Sequence, residues 1–255
     1  MRLRDKVAIV TGGASGIGRA IAVGFAREGA AVVVADINMM GAAETVSQLE
    51  AFGGRGFAVE TDVSSKEQTD NMVKVAMDHF GHVDILVTSA AVLEEVPVQD
   101  ITVEQWDNII DVTLNGVLYS AQSAIKVMKE QGCGKVVIIS SIAAFRGRAG
   151  QQAYCAAEGS LTGLAANLAV QMGEYGICVN SIAPGIIDTD FAESLKDNPE
   201  YREFRRAHTP LRRIGKPEDI VGPAIFLASS DSDFITGETI VVDGGISIYT
   251  NGYGL

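Results

Sequence analysis

The chain has 255 residues, 47% of them apolar and 20% charged, a balance that fits a soluble globular protein with a large core. Its net charge of −12 argues against a nucleic-acid partner, and no segment approaches the roughly 20 uninterrupted apolar residues of a membrane span. Cys133, Cys155 and Cys178 are odd in number and lack CxxC spacing, so a reduced compartment without structural zinc is expected. The N-terminus runs directly into a strand pattern with no signal-peptide layout, which makes the cytoplasm the expected location.

Val7-Ala8-Ile9-Val10-Thr11 is a short apolar, β-branched run without polar alternation, the mark of a strand buried on both faces. It meets Gly12-Gly13-Ala14-Ser15-Gly16-Ile17-Gly18, then a helical pattern through Arg27 that Gly29 closes. Residues 31–35 form the next strand pattern and end on Asp36. Strand, glycine turn, helix, strand and acid together open a dinucleotide-binding unit. The glycines permit a tight turn and let backbone N–H groups approach a pyrophosphate at the helix N-terminus. Asp36 can accept hydrogen bonds from an adenosine ribose diol and would repel a 2′-phosphate, so NAD is favoured over NADP.

The alternation continues with a helix over 40–52, a strand over 55–60 ending at Thr61-Asp62-Val63, and a helix over 65–80. Val83–Thr88 is another buried strand, followed by helical patterns over 102–112 and 113–131, with Trp106 read as a packing residue. Lys135–Ser140 is the fifth strand, a helix carrying Tyr154 runs to about 175, and Ile177–Ile182 is the sixth strand. A polar segment, 188–213, precedes a helix starting near Pro217, and Thr239–Asp243 is a seventh strand. Regular β-α alternation implies an α/β fold: a doubly wound (Rossmann), mostly parallel seven-stranded sheet with helices on both faces. No linker or repeat interrupts it, so residues 1–255 are read as one domain.

Several of these motifs, in this order, strongly resemble the short-chain dehydrogenase/reductases over about residues 4–247. They are the glycine turn, Asp36, Asp62-Val63, Ser141 and Tyr154 thirteen residues apart, Pro184-Gly185-Ile186-Ile187-Asp188-Thr189, and Val242-Asp243-Gly244-Gly245. The resemblance implies an NAD-dependent oxidoreductase acting on a small secondary alcohol or ketone. It also implies a homotetramer or homodimer packed through the 102–131 and 151–175 helices, and a substrate lid over about 188–213. It places the dinucleotide against Gly12, Ser15, Gly16, Ile17, Gly18, Asp36, Asp62, Val63, Ala90, Tyr154, Pro184, Gly185, Ile187 and Thr189. Within that set Asp62 would contact adenine, while Ile187 and Thr189 would hold the nicotinamide amide.

Four catalytic positions follow from the resemblance: Ser141, Tyr154, Glu158 and Thr113. Two depart from the family. Glu158 stands where a lysine holds the nicotinamide ribose and lowers the tyrosine pKa. Thr113 stands where an asparagine anchors a relay water, and Asn115 falls two residues on, off that face. The family's Asn-Asn-Ala-Gly also reads Thr88-Ser89-Ala90-Ala91 here. Tyr154 and Glu158 are four apart and share a helix face. A charge about 5 Å from a phenolate, at an effective dielectric of about 20, is worth roughly 3 kcal/mol, or about two pKa units. A carboxylate there removes the help a lysine gives and adds a similar opposition. A buried Glu158 would itself titrate high, and in either protonation state it can still hydrogen-bond a ribose.

Arg146 and Arg148 follow the fifth strand in the loop that borders the family's substrate pocket. They are read either as a solvated loop or as a clamp for an anionic or carbonyl-bearing substrate. Glu94 and Glu95 are read as surface charge, His208 as a candidate proton donor in the lid, His79 and His82 as surface caps without a metal, and Cys155 as a small core residue. Three functions stay open. The first is an NAD-dependent oxidoreductase with a proton route altered through Glu158 or a water. The second is a non-redox enzyme (dehalogenase, lyase or dehydratase-like) with Glu158 as base. The third is a non-catalytic NAD-binding subunit. Each takes a small molecule, and none needs nucleic acid or a membrane.

Overall fold

All five side chains of Val7–Thr11 are buried, which only a strand covered on both faces permits. The structure, a computed structural model, describes residues 1–189, 191 and 198–249. This strand, β1, is followed by β2 (Ala31–Asp36), β3 (Arg55–Glu60), β4 (Ile85–Thr88), β5 (Gly134–Ile139), β6 (Ile177–Pro184) and β7 (Thr239–Val242). They form one seven-stranded sheet in the order β3-β2-β1-β4-β5-β6-β7, and every pairing is parallel. The expected doubly wound Rossmann-type sheet is present. Between β1 and β4 the order reverses direction, and a crevice opens beyond the carboxyl ends of those strands.

The helices are α1 (Gly16–Arg27), α2 (Met39–Glu50), α3 (Lys66–Phe80), α4 (Val103–Ile110), α5 (Gly116–Gln131), α6 (Gln152–Met172), α7 (Pro199–Ala207) and α8 (Glu218–Ala228). They cover two cores, one on each face, because strand side chains alternate. Val10, Val34, Val87 and Val137 join α1 and α8 on one face. Ile9, Val33, Leu86 and Val136 join α3, α5 and α6 on the other.

Four local expectations need correction. β4 starts at Ile85 rather than Val83, because the Gln131 side chain satisfies both the N–H and the carbonyl of Val83. The expected helices over 102–112 and 113–131 are instead one path, α4 to α5, joined by a π-helical turn over Asp111–Asn115. Trp106 is not a core packing residue; it is 38% exposed on α4. Cys155 is half-buried with a long contact to the Arg146 carbonyl, so it is not a core residue either.

The expected lid was read as polar connection, yet it contains α7. Asn198 caps the Tyr201 N–H, Pro199 opens the first turn with Glu200, and Arg205 and Arg206 close the last. Residues 190 and 192–197 of the lid lie outside the described residues.

Candidate functional site

The turn after β1 is shaped by what it excludes. Gly12 has φ +65°, and a Cβ there would lie 2.7 Å from the Ala90 nitrogen. A Cβ on Gly18 would sit 2.1 Å from the Gly12 carbonyl oxygen. Side chains at either position would fill the cradle at the start of α1. Beyond it, Asp36 ends β2 and accepts hydrogen bonds from the Ala14 and Asn38 N–H groups, both at 2.9 Å, one on each carboxylate oxygen. Asp62 accepts from the N–H and hydroxyl of Ser64, which turns the chain into α3.

These groups line a cleft of about 1260 Å³ above the carboxyl ends of the strands. Its wall includes Gly12, Ser15, Gly16, Ile17, Gly18, Asp36, Asp62, Val63 and Ala90 at one end. Pro184 ends β6 and Gly185, Ile187 and Thr189 follow it, and Ser141, Arg146, Arg148, Tyr154 and Glu158 also line the cleft. Thr113 is absent from this wall. It is 1% exposed in the π-helical turn, and its hydroxyl accepts from the Val92 N–H at 3.3 Å. There it braces the Val92 backbone, while Val92 itself lines the cleft.

Ser141 follows β5, and its hydroxyl accepts from the Ala143 N–H at 3.1 Å. Tyr154 and Glu158 project from one face of α6, 8% and 1% exposed. The Phe191 ring lies 6.0 Å from that of Tyr154. Burial pushes the Glu158 carboxyl up to about 7. The hydroxyls of Ser140 and Tyr154 beside it pull the other way, yet burial is the larger influence and prevails. Glu158 Oε2 and Ser140 Oγ are both buried, and neither has a hydrogen-bond partner among the described residues. Tyr154 is raised well above its usual 10, first by burial and then by the charge of Glu158, with the Ser141 hydroxyl opposing. A protonated Glu158 exerts no such charge, so the pair couples most strongly above about pH 7.

The outer end of the cleft holds residues that the sequence reading placed elsewhere or overlooked. Glu95 was read as surface charge, but its Oε1 lies 2.8 Å from Arg148 Nη2 and accepts from Gln151 Nε2, also at 2.8 Å. Glu94 accepts from Gln105 at 2.7 Å. Tyr201 and Arg205 of α7 face this end, as does His208. The His208 ring stacks 3.9 Å from Phe204, and its Nδ1 donates to the Phe204 carbonyl. The capping signals of α7 could have flagged it as ordered; nothing local to Glu95 reveals a partner fifty-three residues away. His79 and His82 bond to nearby backbone carbonyls, as expected of surface caps.

A parallel sheet with a glycine cradle at its switch point defines a protein of the Rossmann type. The family description Enoyl-(Acyl carrier protein) reductase matches residues 12–247. The L-rhamnose 1-dehydrogenase (NAD(P)(+)) of Azotobacter vinelandii is 38% identical over 97% of this chain and 99% of its own. The galactitol 2-dehydrogenase of Agrobacterium fabrum is 37% identical over 96% and 98%. The crystal structure of levodione reductase superposes with a TM-score of 0.93 at 32% identity, covering 99% of this chain and all of that one. The chain belongs to the short-chain dehydrogenase/reductase family and is an oxidoreductase of that family, whose dehydrogenases use NAD or NADP.

Proposed function

We propose that the chain is an NAD-dependent dehydrogenase or reductase of a small secondary alcohol or ketone, in which a Tyr154–Glu158 pair handles the proton. The observation that carries this is the placement of both buried side chains in the cleft that the glycine cradle opens. The residues fit a dinucleotide. Gly12 and Gly18 leave room at the α1 N-terminus. Glu158 and Ser140, which line the cleft, each keep a buried side-chain oxygen without a hydrogen-bond partner among the described residues that a ribose hydroxyl would satisfy. Asp36, Asp62 and Val63 would hold the adenosine half, and Ser15 to Gly18 the phosphates. Ala90, Pro184, Gly185, Ile187 and Thr189 would hold the nicotinamide half. When bound, the nicotinamide supplies the hydride acceptor or donor.

Ser141 Oγ orients the substrate oxygen, and Tyr154 Oη gives or takes its proton. Glu158 does not lower the tyrosine pKa; it holds a proton itself near neutrality and passes it to or from Tyr154. Thr113 is a positioning residue for the Val92 segment. Relatives named for rhamnose and galactitol support a polyhydroxylated substrate. Calorimetric titration with NAD, NADH and NADP, followed by an alcohol screen from about pH 6 to 10 at the NADH absorbance band, tests the proposal. NADH formation is the expected result, and failure to bind any dinucleotide would refute it. A second reading, acid–base chemistry without net redox, is favoured by a Glu158 that titrates near 7. Substrate conversion without NADH would select it.

Two substitutions probe the cofactor half. Gly18→Ala is expected to weaken NADH binding by about tenfold or more while leaving the far-ultraviolet circular dichroism unchanged, because the new Cβ must displace the Gly12 carbonyl. NAD is expected to bind about tenfold or more tightly than NADP, since Asp36 would repel a 2′-phosphate and the cation Arg19 is paired with Glu44 at 2.7 Å. Asp36→Ala should narrow that ratio, and an unchanged ratio would move the cofactor choice elsewhere.

The single sheet supports one domain over residues 1–255. A homotetramer or homodimer is supported by Val103 and Trp106 on α4 and Val170 on α6, all exposed on the helices that would meet a second copy. A cytoplasmic location is supported by three free cysteines, and among the described residues no helix is long and apolar enough to cross a membrane.

A further inference from the structure

We infer that the outer end of the cleft is an oxyanion site, so that the substrate carries a carboxylate or a phosphate ester besides its reacting hydroxyl or carbonyl. The inference rests on the oxidoreductase reading above and adds the substrate's charge. Three guanidiniums, those of Arg146, Arg148 and Arg205, line the cleft, and those of Arg148 and Arg205 meet at the Tyr201 hydroxyl. They come from two separate elements, the loop after β5 and helix α7.

Glu95 is the carboxylate among them, and it is committed to Arg148. Arg146 and Arg205 have no carboxylate partner among the described residues. A chain with a net charge of −12 thus places, among the described residues, an excess of positive charge at the mouth of its cleft. Among the described residues, Glu94 is engaged with Gln105 and Asp188 with Arg202.

The guanidiniums are also held rather than free to swing into solvent. Arg146 Nη1 donates to the Ile246 carbonyl at 2.5 Å. Arg148 Nη2 and Arg205 Nε each donate to the Tyr201 hydroxyl at 2.7 Å, and Arg205 Nη2 donates to the same oxygen. Three N–H donors therefore converge on a phenolic oxygen with two lone pairs. Each arginine carries five N–H groups, so donors at this mouth outnumber the acceptors the protein supplies. An oxyanion provides the missing acceptors, and a planar guanidinium fork matches either a carboxylate or a phosphate. Orientation is fixed before the ligand arrives, which lowers the cost of binding. The substrate class that fits both ends of the cleft is a hydroxy acid, its oxo form, or a phosphorylated counterpart.

The test is calorimetric titration of the NADH-saturated protein with three- to six-carbon hydroxy acids, the neutral polyols of equal length, and their phosphate monoesters. Anionic members are expected to bind about tenfold or more tightly than neutral ones, with a preference that shrinks at high salt. Arg146→Gln and Arg205→Gln should each remove most of the preference while the NADH affinity stays within about twofold, and Arg205→Lys should restore part of it. Tighter binding of phosphate monoesters than of carboxylates would assign the anion as phosphate, and the reverse as carboxylate. Equal binding of neutral and anionic members would overturn the inference, as would binding of NADH with no anionic member bound. A preference that survives in the double glutamine variant would also overturn it. Failure of NADH itself to bind would remove the oxidoreductase reading and this inference with it.

Discussion

Glu158→Lys is expected to raise NAD-dependent oxidation of simple secondary alcohols by about 100-fold or more near pH 8. In the native site the phenol of Tyr154 is opposed twice, by its own burial and by the Glu158 charge. Above about pH 7 that charge is present most of the time. Removing it and placing a cation at the same point each change the electrostatic environment of the phenolate in the same direction. A single charge at about 5 Å is worth about two pKa units, so reversing its sign is worth two to four before relaxation. At a pH below the tyrosine pKa, the phenolate fraction rises in proportion, and so does a rate that depends on it. The position is 1% exposed, so a lysine there would have its own pKa lowered by burial, and the adjacent phenolate would offset that loss. Initial rates across pH should show the acid limb of the profile moving down by at least one unit. Adding Tyr154→Phe to the lysine variant should abolish the gain. A lysine variant that binds NAD normally but is no faster would eliminate the tyrosine proton route. The same substitution separates the two chemical readings. A site that runs acid–base chemistry through Glu158 loses its native reaction when that carboxyl is replaced.

The strands that build the cleft were legible because their burial is written locally. Runs such as Val7–Thr11 and Ala31–Asp36 have no polar side to expose, and the glycines and Asp36 between them stand at the switch point of the sheet. The Tyr154–Glu158 pair was legible for a similar reason, since a spacing of four on one helix fixes a shared face. Other parts of the site depend on contacts distant in sequence. Glu95 becomes part of the cleft only through Arg148 and Gln151, more than fifty residues away. Thr113 sits in a π-helical turn that no periodicity announces, and its hydroxyl accepts from the distant Val92 N–H. Helix α7 escaped notice because nearly all of it is solvated. Its pattern carries charge rather than a core stripe, and only its Asn198-Pro199 cap and basic last turn mark it. The buried frame was therefore readable, whereas at the outer end of the pocket only Arg146, Arg148 and the position of the lid were, and Glu95 and the helical form of α7 were not.

Glu158→Gln is expected to change how stability depends on pH, and the sign follows from the direction of the shift. A carboxyl that titrates near 4.5 in the unfolded chain and about 7 in the folded one is taken up protonated on folding. Its contribution is fully present below about pH 4.5 and is lost as pH rises through 7. The difference of about 2.5 units corresponds to about 3 kcal/mol. Urea unfolding from about pH 5 to 9 should therefore show the native protein losing about 3 kcal/mol relative to the glutamine variant, most of it between pH 5 and 8. The glutamine is nearly isosteric and cannot ionise, so subtracting the two curves cancels groups that both proteins share. A flat difference would mean that Glu158 ionises freely in the folded state, satisfied by water or a neighbour. Bound NAD should change the same curve in a way that reports its contact with the carboxylate. If the ionised Glu158 accepts from ribose hydroxyls, saturating NAD lowers its folded pKa and restores part of the stability lost above pH 7. If the ribose meets the protonated acid instead, the loss deepens. The direction of that displacement identifies the protonation state in which the acid holds the cofactor.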